Sequence, residues 1–209
     1  MKSKGMVTDS TIKNRQRKWV RYERIYSNAM WHTDWHTMKD PRMKELNLIT
    51  YLDDASRCVT GAALFNEATS FNAVAVLRQA VDRFGVPATI LSDNGSCFVG
   101  RGGRKKQTSS WTPTLFEREL LGLNIGLINS RPYHPQTNGK LERFHRSLED
   151  EIWHYSSLDD YIEYYNTDRL RFSLDMDNYE TPLMTFHKKK ATVETRSQNP
   201  TWMEDDIRD

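Results

Sequence analysis

Long apolar runs are what this 209-residue chain most plainly lacks. No stretch approaches the roughly 18 consecutive apolar residues that span a bilayer, and mean hydropathy is -0.76. The amino terminus, MKSKGMVTDS, has no apolar segment of the kind that directs secretion. A membrane protein is therefore excluded and a cytoplasmic one expected. Cysteine is scarce too: Cys58 and Cys97 are the only two, without C-x-x-C spacing, so a disulfide scaffold is excluded and buried thiols in a reducing compartment are expected. No internal repeat is present, which excludes solenoids and other arrays.

What is present suffices for one core. At 37% hydrophobic and 11% aromatic, the chain fits a single globular domain with appendages. The net charge of +2 hides an uneven distribution. Residues 1–24 carry eight Lys and Arg against Asp9 and Glu23, so everything after this basic arm is net negative. A second basic cluster, GRGGRKKQ, holds Arg101, Arg104, Lys105 and Lys106 in a glycine-rich stretch unsuited to regular structure. Two basic segments point to a polyanionic partner, because neutralising phosphates releases counterions.

Periodicity gives the order of elements. NAMWHTDWHTM alternates, putting Trp31, Thr33 and Trp35 on one strand face and His32, Asp34 and His36 on the other. LNLITYLDD and SRCVTGAALF read as a hairpin about Asp53, Asp54, Ala55 and Ser56. TSFNAVAVLRQAVDRFG reads as a helix from Thr69 or Ser70 to a stop at Gly85. Next come a short strand ending at Ser92 and Asp93, a helix in TLFERELLG and a last strand in NIGLINS. From Asn138 a longer helix begins, with Leu141, Phe144, Leu148 and Ile152 as its buried stripe and Glu142 beside it. SLDDYIEYYNT makes another amphipathic helix, and residues 188–209 form a loose tail. Strand–helix–strand crossovers imply parallel pairing, while the first three strands can pair antiparallel. The expectation is a mixed five-stranded α/β sheet flanked by helices, its core running over residues 25–187.

Three carboxylates fall where open α/β sheets keep their sites: Asp34 on the first strand, Asp93 after the fourth, and Glu142 on the helix after the fifth. Such a set repels itself unless a cation sits within it. All-oxygen ligands suit Mg²⁺ or Mn²⁺, and two such ions assist in-line phosphoryl displacement. Lys140, Arg143 and Arg146 are then expected to hold flanking DNA phosphates. His32 and His36 read as polar histidines near the sheet edge rather than zinc ligands, since no third or fourth ligand occurs at a recognisable spacing.

WHTDWH, LSDNGSCF and RPYHPQTNGKLERFHR, in this order, resemble the three acidic signatures of the DDE integrase and transposase catalytic core. YYNTDRLRFSLDMDNYETPLMTF resembles the closing segment of its insertion-sequence branch. The resemblance implies a ribonuclease H-like fold, DNA cleavage at element ends and joining of the new 3′-hydroxyl to target DNA. It implies Asp34, Asp93 and Glu142 as metal-binding catalytic residues, and Tyr133, Gln136 and Asn138, in the turn YHPQTNG, as substrate-DNA contacts. It also implies a homo-oligomer, associated with the nucleoid when bound to DNA. Asp93 and Glu142 lie 49 positions apart, longer than is usual in the family, and the excess falls on the basic insertion, read as an added DNA contact. No periodic helix pair fits the first thirty residues, which leaves open a fragment of a longer transposase without its helix-turn-helix segment. The alternatives are a non-catalytic remnant that binds DNA or regulates a full-length transposase, and a nuclease acting on RNA in hybrids.

Overall fold

The computed structural model describes residues 23–100, 112–130, 139–170, 174 and 179–191. Strand β1 (Met30–Thr37) follows the alternation: Trp31 and Trp35 join one apolar core, while His32 and His36 bond to groups on the opposite face. Strands β2 (Asn47–Asp53) and β3 (Val59–Phe65) form the expected hairpin, and β2 also pairs antiparallel with β1, setting Asp34 opposite Thr50. Asp53 closes the hairpin turn by accepting the Ser56 N–H at 2.9 Å and the Asn28 N–H at 2.8 Å.

Helix α1 (Ser70–Phe84) starts where the Thr69 hydroxyl accepts the Asn72 N–H, and stops at Gly85, whose φ of 93° suits glycine alone. The chain returns as β4 (Thr89–Ser92), parallel to β1. Thr114 and Glu117 form a capping box that opens α2 (Leu115–Gly122), after which β5 (Gly126–Asn129) pairs parallel to β4. The sheet order is β3-β2-β1-β4-β5, the mixed five-stranded arrangement with β1 in its centre.

Helices cover both faces. On one, α1 and α2 pack against Trp31, Ile49, Tyr51 and Ile90, joined by Phe186 of α5 (Pro182–Lys188), which meets Phe84 edge to face at 5.3 Å. On the other, α3 (Gly139–Glu151), a single 3₁₀ turn at Ile152–His154 and α4 (Leu158–Thr167) pack against Leu48, Leu52 and Val59. Leu141, Phe144, Leu148 and Ile152 are all buried, as the stripe requires. At about 1.5–3 kcal/mol for each large apolar side chain, they hold α3 to the sheet. Asn166 of α4 bonds both the N–H and the carbonyl of Val59 at 2.9 Å, satisfying the backbone where β3 begins.

The expected boundaries shift at both ends. Glu23 and Arg24 belong to the body: Arg24 is buried with its N–H 2.6 Å from Asp54 Oδ2, and Glu23 pairs with Arg57 and Lys189. Residues 188–191 are also not loose. Lys188 ends α5, Lys190 bridges to Ser27, and Ala191 is buried. A lysine run shows no period, yet Lys188 and Lys189 each find a carboxylate, Glu180 and Glu23. Residues 1–22 and 192–209 lie outside the described residues. Among the described residues, no helix is long and apolar enough to cross a membrane.

Candidate metal and nucleic-acid site

The register of β1 on β4 brings two carboxylates to one edge. His32 pairs with Leu91 where the β1–β4 ladder ends; Asp34 lies two residues further along β1 and Asp93 one residue past the end of β4. Asp93 leaves the strand in a tight turn, its carboxylate accepting the Gly95 N–H at 2.9 Å. A Cβ at position 95 would lie 2.9 Å from Asp93 Oδ1, so a side chain there would push the Asp93 carboxylate aside. The Asn94 side chain donates to the Ser130 carbonyl at 2.8 Å, tying the turn to the end of β5, and Phe98 anchors the far side of the turn against Phe116. Glu142 stands exposed in the first turn of α3, next to buried Leu141. It borders the stripe without joining it, as the helical period demands.

Electrostatics makes these three groups neighbours. Burial first, then the charge of Asp93, with Glu142 adding, pushes the Asp34 carboxyl up to about 7, even though the Trp35 N–H donates to it at 2.8 Å. A divalent cation among them would reverse that shift by favouring the ionised form. The donor set fits a hard cation in type and charge: oxygen only, with mutual repulsion to be relieved. Among the described residues, no three His, Cys, Asp or Glu side chains stand close enough together to enclose an ion. The carboxylates are an open set that must draw in to hold one.

A polar strip frames Asp34. His32 is buried with Nε2 at 2.5 Å from Asp54 Oδ1, and burial pushes its pKa down. Burial alone would raise Asp54, but the His32 hydrogen bond and the Lys140 ammonium outweigh it and hold that carboxyl below the usual range. His36 Nε2 lies 2.7 Å from Glu149 Oε1, and its ring stacks on His145 with centroids 4.6 Å apart. Burial, assisted by His36, drives His145 down to about 3, leaving it neutral near pH 7. Both histidines flanking Asp34 are thus polar residues with carboxylate partners.

Of the expected DNA contacts, Lys140 turns inward, and its ammonium ion-pairs with Asp54. Lys140 keeps 20% of its side-chain surface exposed beside that buried carboxylate. Arg143 and Arg146 are exposed on α3. Tyr133, Gln136 and Asn138, with Arg101, Arg104, Lys105 and Lys106, lie outside the described residues. The sequence reading missed Asp54, taken as a turn former, and His145. Glu149 could have been found, since it shares a helix face with Glu142.

Residues 26–135 match the family model of the integrase core domain, and residues 123–182 match a second integrase core domain model. A protein named as an integrase, ORF3 of Spiroplasma virus SpV1-C74, is 30% identical over 154 residues, covering 66% of this chain and 41% of that protein. The Gag-Pol polyprotein of gibbon ape leukemia virus is 26% identical over 122 residues, covering 58% of this chain and 6% of the polyprotein. The chain thus spans less than half the length of these curated relatives. The catalytic core domain of BIV integrase superposes with a TM-score of 0.56 at 21% identity, over 77% of this chain and 95% of that one. The HTLV-2 integrase catalytic core domain, solved in complex with magnesium, gives 0.58 at 18% identity, over 79% of this chain and all of the other. Those two likenesses identify the fold as the ribonuclease H-like sheet of integrase catalytic cores. With more than half of its residues inside the first matched span, and its central strands laid out on that fold, this chain belongs to the integrase core domain family.

Proposed function

We propose that this chain is a transposase or integrase catalytic core that cuts DNA strands and joins them to target DNA, with Asp34, Asp93 and Glu142 holding one or two Mg²⁺ or Mn²⁺ ions. The observation that carries the reading is the upward push that burial, then Asp93 and Glu142, exert on the Asp34 carboxyl, with β1 and β4 paired in parallel up to His32 and Leu91. When bound, such ions activate an attacking oxygen and stabilise the leaving one. The chain's own residues do the rest. Asp34 gives up its proton to become a ligand, and the Gly95 N–H keeps the Asp93 carboxylate turned back over its own loop. Exposed Arg143 and Arg146 provide phosphate contacts that orient a strand along α3 without reading its sequence. The basic arm and the 101–106 cluster add charge that draws DNA in. The relative solved with magnesium supports the choice of ion, and its dimeric and trimeric forms support a homo-oligomer.

A second reading, a non-catalytic chain that binds DNA or regulates a longer relative, is favoured by the two basic segments, which suit DNA binding whether or not a strand is cut. One assay separates the two. Labelled duplex DNA is incubated with Mg²⁺ and either the natural chain or Asp34→Asn. Nicking and joining by the natural chain alone is expected. DNA binding with equal, or equally absent, cleavage by both proteins defeats the enzyme reading.

A further inference from the structure

Strand β1 and helix α3 run in the same direction and are linked at two levels. At the lower level, His32 and Lys140 converge on one atom, Asp54 Oδ1, while Asp54 Oδ2 accepts the Arg24 N–H. At the upper level, Glu149 Oε1 meets His36 Nε2 at 2.7 Å and accepts the Lys39 N–H at 2.9 Å. Between them, His145 stacks on His36 and lies 3.3 Å from Thr50 Oγ1. Asp34 is midway between the two histidines on the strand, and Glu142 lies between Lys140 and His145 on the helix. The apolar stripe holds α3 down, but apolar attraction is non-directional and does not fix how far the helix slides or rolls. Directional pairs do.

The arrangement is also costly unless it serves a purpose, because an ammonium withdrawn from water loses hydration that a single pair barely restores. Lys140 keeps only 20% of its side-chain surface exposed. A lysine serving only to touch phosphate would face solvent.

We infer that Lys140 is a positioning residue for the metal-holding carboxylates: its ion pair with Asp54, with the His36–Glu149 bond as a second rung, fixes α3 on β1 so that Glu142 is brought to Asp34. This inference rests on the metal-holding role proposed above. It carries a distinctive sign. An ammonium two residues from Glu142 repels a cation, so its removal would tighten metal binding if electrostatics alone acted. Positioning demands the opposite.

The test is titration of the full chain with Mn²⁺ in the absence of DNA, monitored by electron paramagnetic resonance of the free ion, with circular dichroism as the check on folding. Lys140→Gln is expected to bind Mn²⁺ about 10-fold more weakly, as loss of an outer-shell partner does, and Lys140→Arg to recover most of the loss. His36→Phe, which keeps a ring against His145 but cannot bond Glu149, is expected to weaken binding by less than Lys140→Gln does. A folded Lys140→Gln that binds as tightly as the natural chain, or more tightly, overturns the inference. Should Lys140→Gln fail to fold, unchanged or tighter binding by His36→Phe overturns it instead. Binding abolished in Asp34→Asn yet intact in both other variants removes this inference alone. Binding absent from the natural chain, or indifferent to Asp34→Asn, removes the proposed metal centre with it.

Discussion

Alternate residues of one strand build the two faces of this sheet, and the faces obey different rules. Trp31 and Trp35 look into a core of Phe84, Phe98, Phe116 and Phe186, where side chains mainly fill space, the Trp31 indole and Tyr51 hydroxyl each making one bond at the margin. His32, Asp34 and His36 look toward α3, where Leu141, Phe144 and Leu148 supply the adhesion and both histidines bond a carboxylate. The first face tolerates repacking, because volume and apolarity are what it asks for. The second does not, because an unmatched polar group there costs its full desolvation. A slip of β1 by one residue would exchange the two sets and ruin both. The tryptophan side carries the larger apolar cluster, and the proposed metal site lies on the other.

Substitutions can dismantle that division or draw it more finely. Asp34→Asn should act most strongly, lowering strand nicking by roughly 10³-fold or more, the several kcal/mol of metal assistance at about 1.4 kcal/mol per decade. The fold should gain rather than lose. The Asp34 carboxyl is raised from its ordinary 3.8 to about 7, so ionising it costs folded-state stability. That cost grows from near pH 4 to near pH 7 and persists above. Calorimetry should find Asp34→Asn more stable above pH 7, with the gain vanishing toward pH 4. Trp31→Ala is the mirror case: it should cost about 3–5 kcal/mol in urea titrations while leaving Mn²⁺ affinity per folded molecule unchanged. If it destroys metal binding in a folded chain, the faces are not independent.

Smaller effects probe the polar face alone. Metal affinity should fall as pH drops below about 7, approaching tenfold per pH unit, because Asp34 must release one proton to ligate. A flat profile by calorimetric titration between pH 5.5 and 7.5 would be incompatible with that proton release. Gly95→Ala, which places a Cβ 2.9 Å from Asp93 Oδ1, should lower nicking by roughly 10-fold through displacement of that carboxylate, with only a modest change in melting temperature. Arg146→Ala should be mildest, weakening DNA binding at every sequence alike and reducing the salt slope by about 1, with Mn²⁺ affinity untouched.

Much of the fold was legible because it rests on local periods. The alternation in β1, the Thr69 and Gly85 signals around α1, and the stripe Leu141–Phe144–Leu148–Ile152 each declare themselves within a dozen residues. Helix α5 was harder: Thr181 caps it and Pro182 opens it, a recognisable start, but seven residues are too few to show a stripe. The three acidic motifs were readable as candidates, but the distances between their carboxylates were not. Nor was the inward turn of Lys140. Its partner Asp54 lies 86 positions away and, read locally, was one of four turn formers. Sequence shows that a lysine is charged, not which carboxylate it will meet.

Whether Asp34, Asp93 and Glu142 share a divalent ion is best decided by growing crystals of the full chain, soaking them in Mn²⁺ and collecting anomalous data. An anomalous peak is expected at the carboxyl end of β1, bonded at about 2.1 Å to oxygens of Asp34 and Asp93, with Glu142 drawn in toward it. A fully occupied peak elsewhere, or none at saturating Mn²⁺ above pH 7, would refute the shared ion.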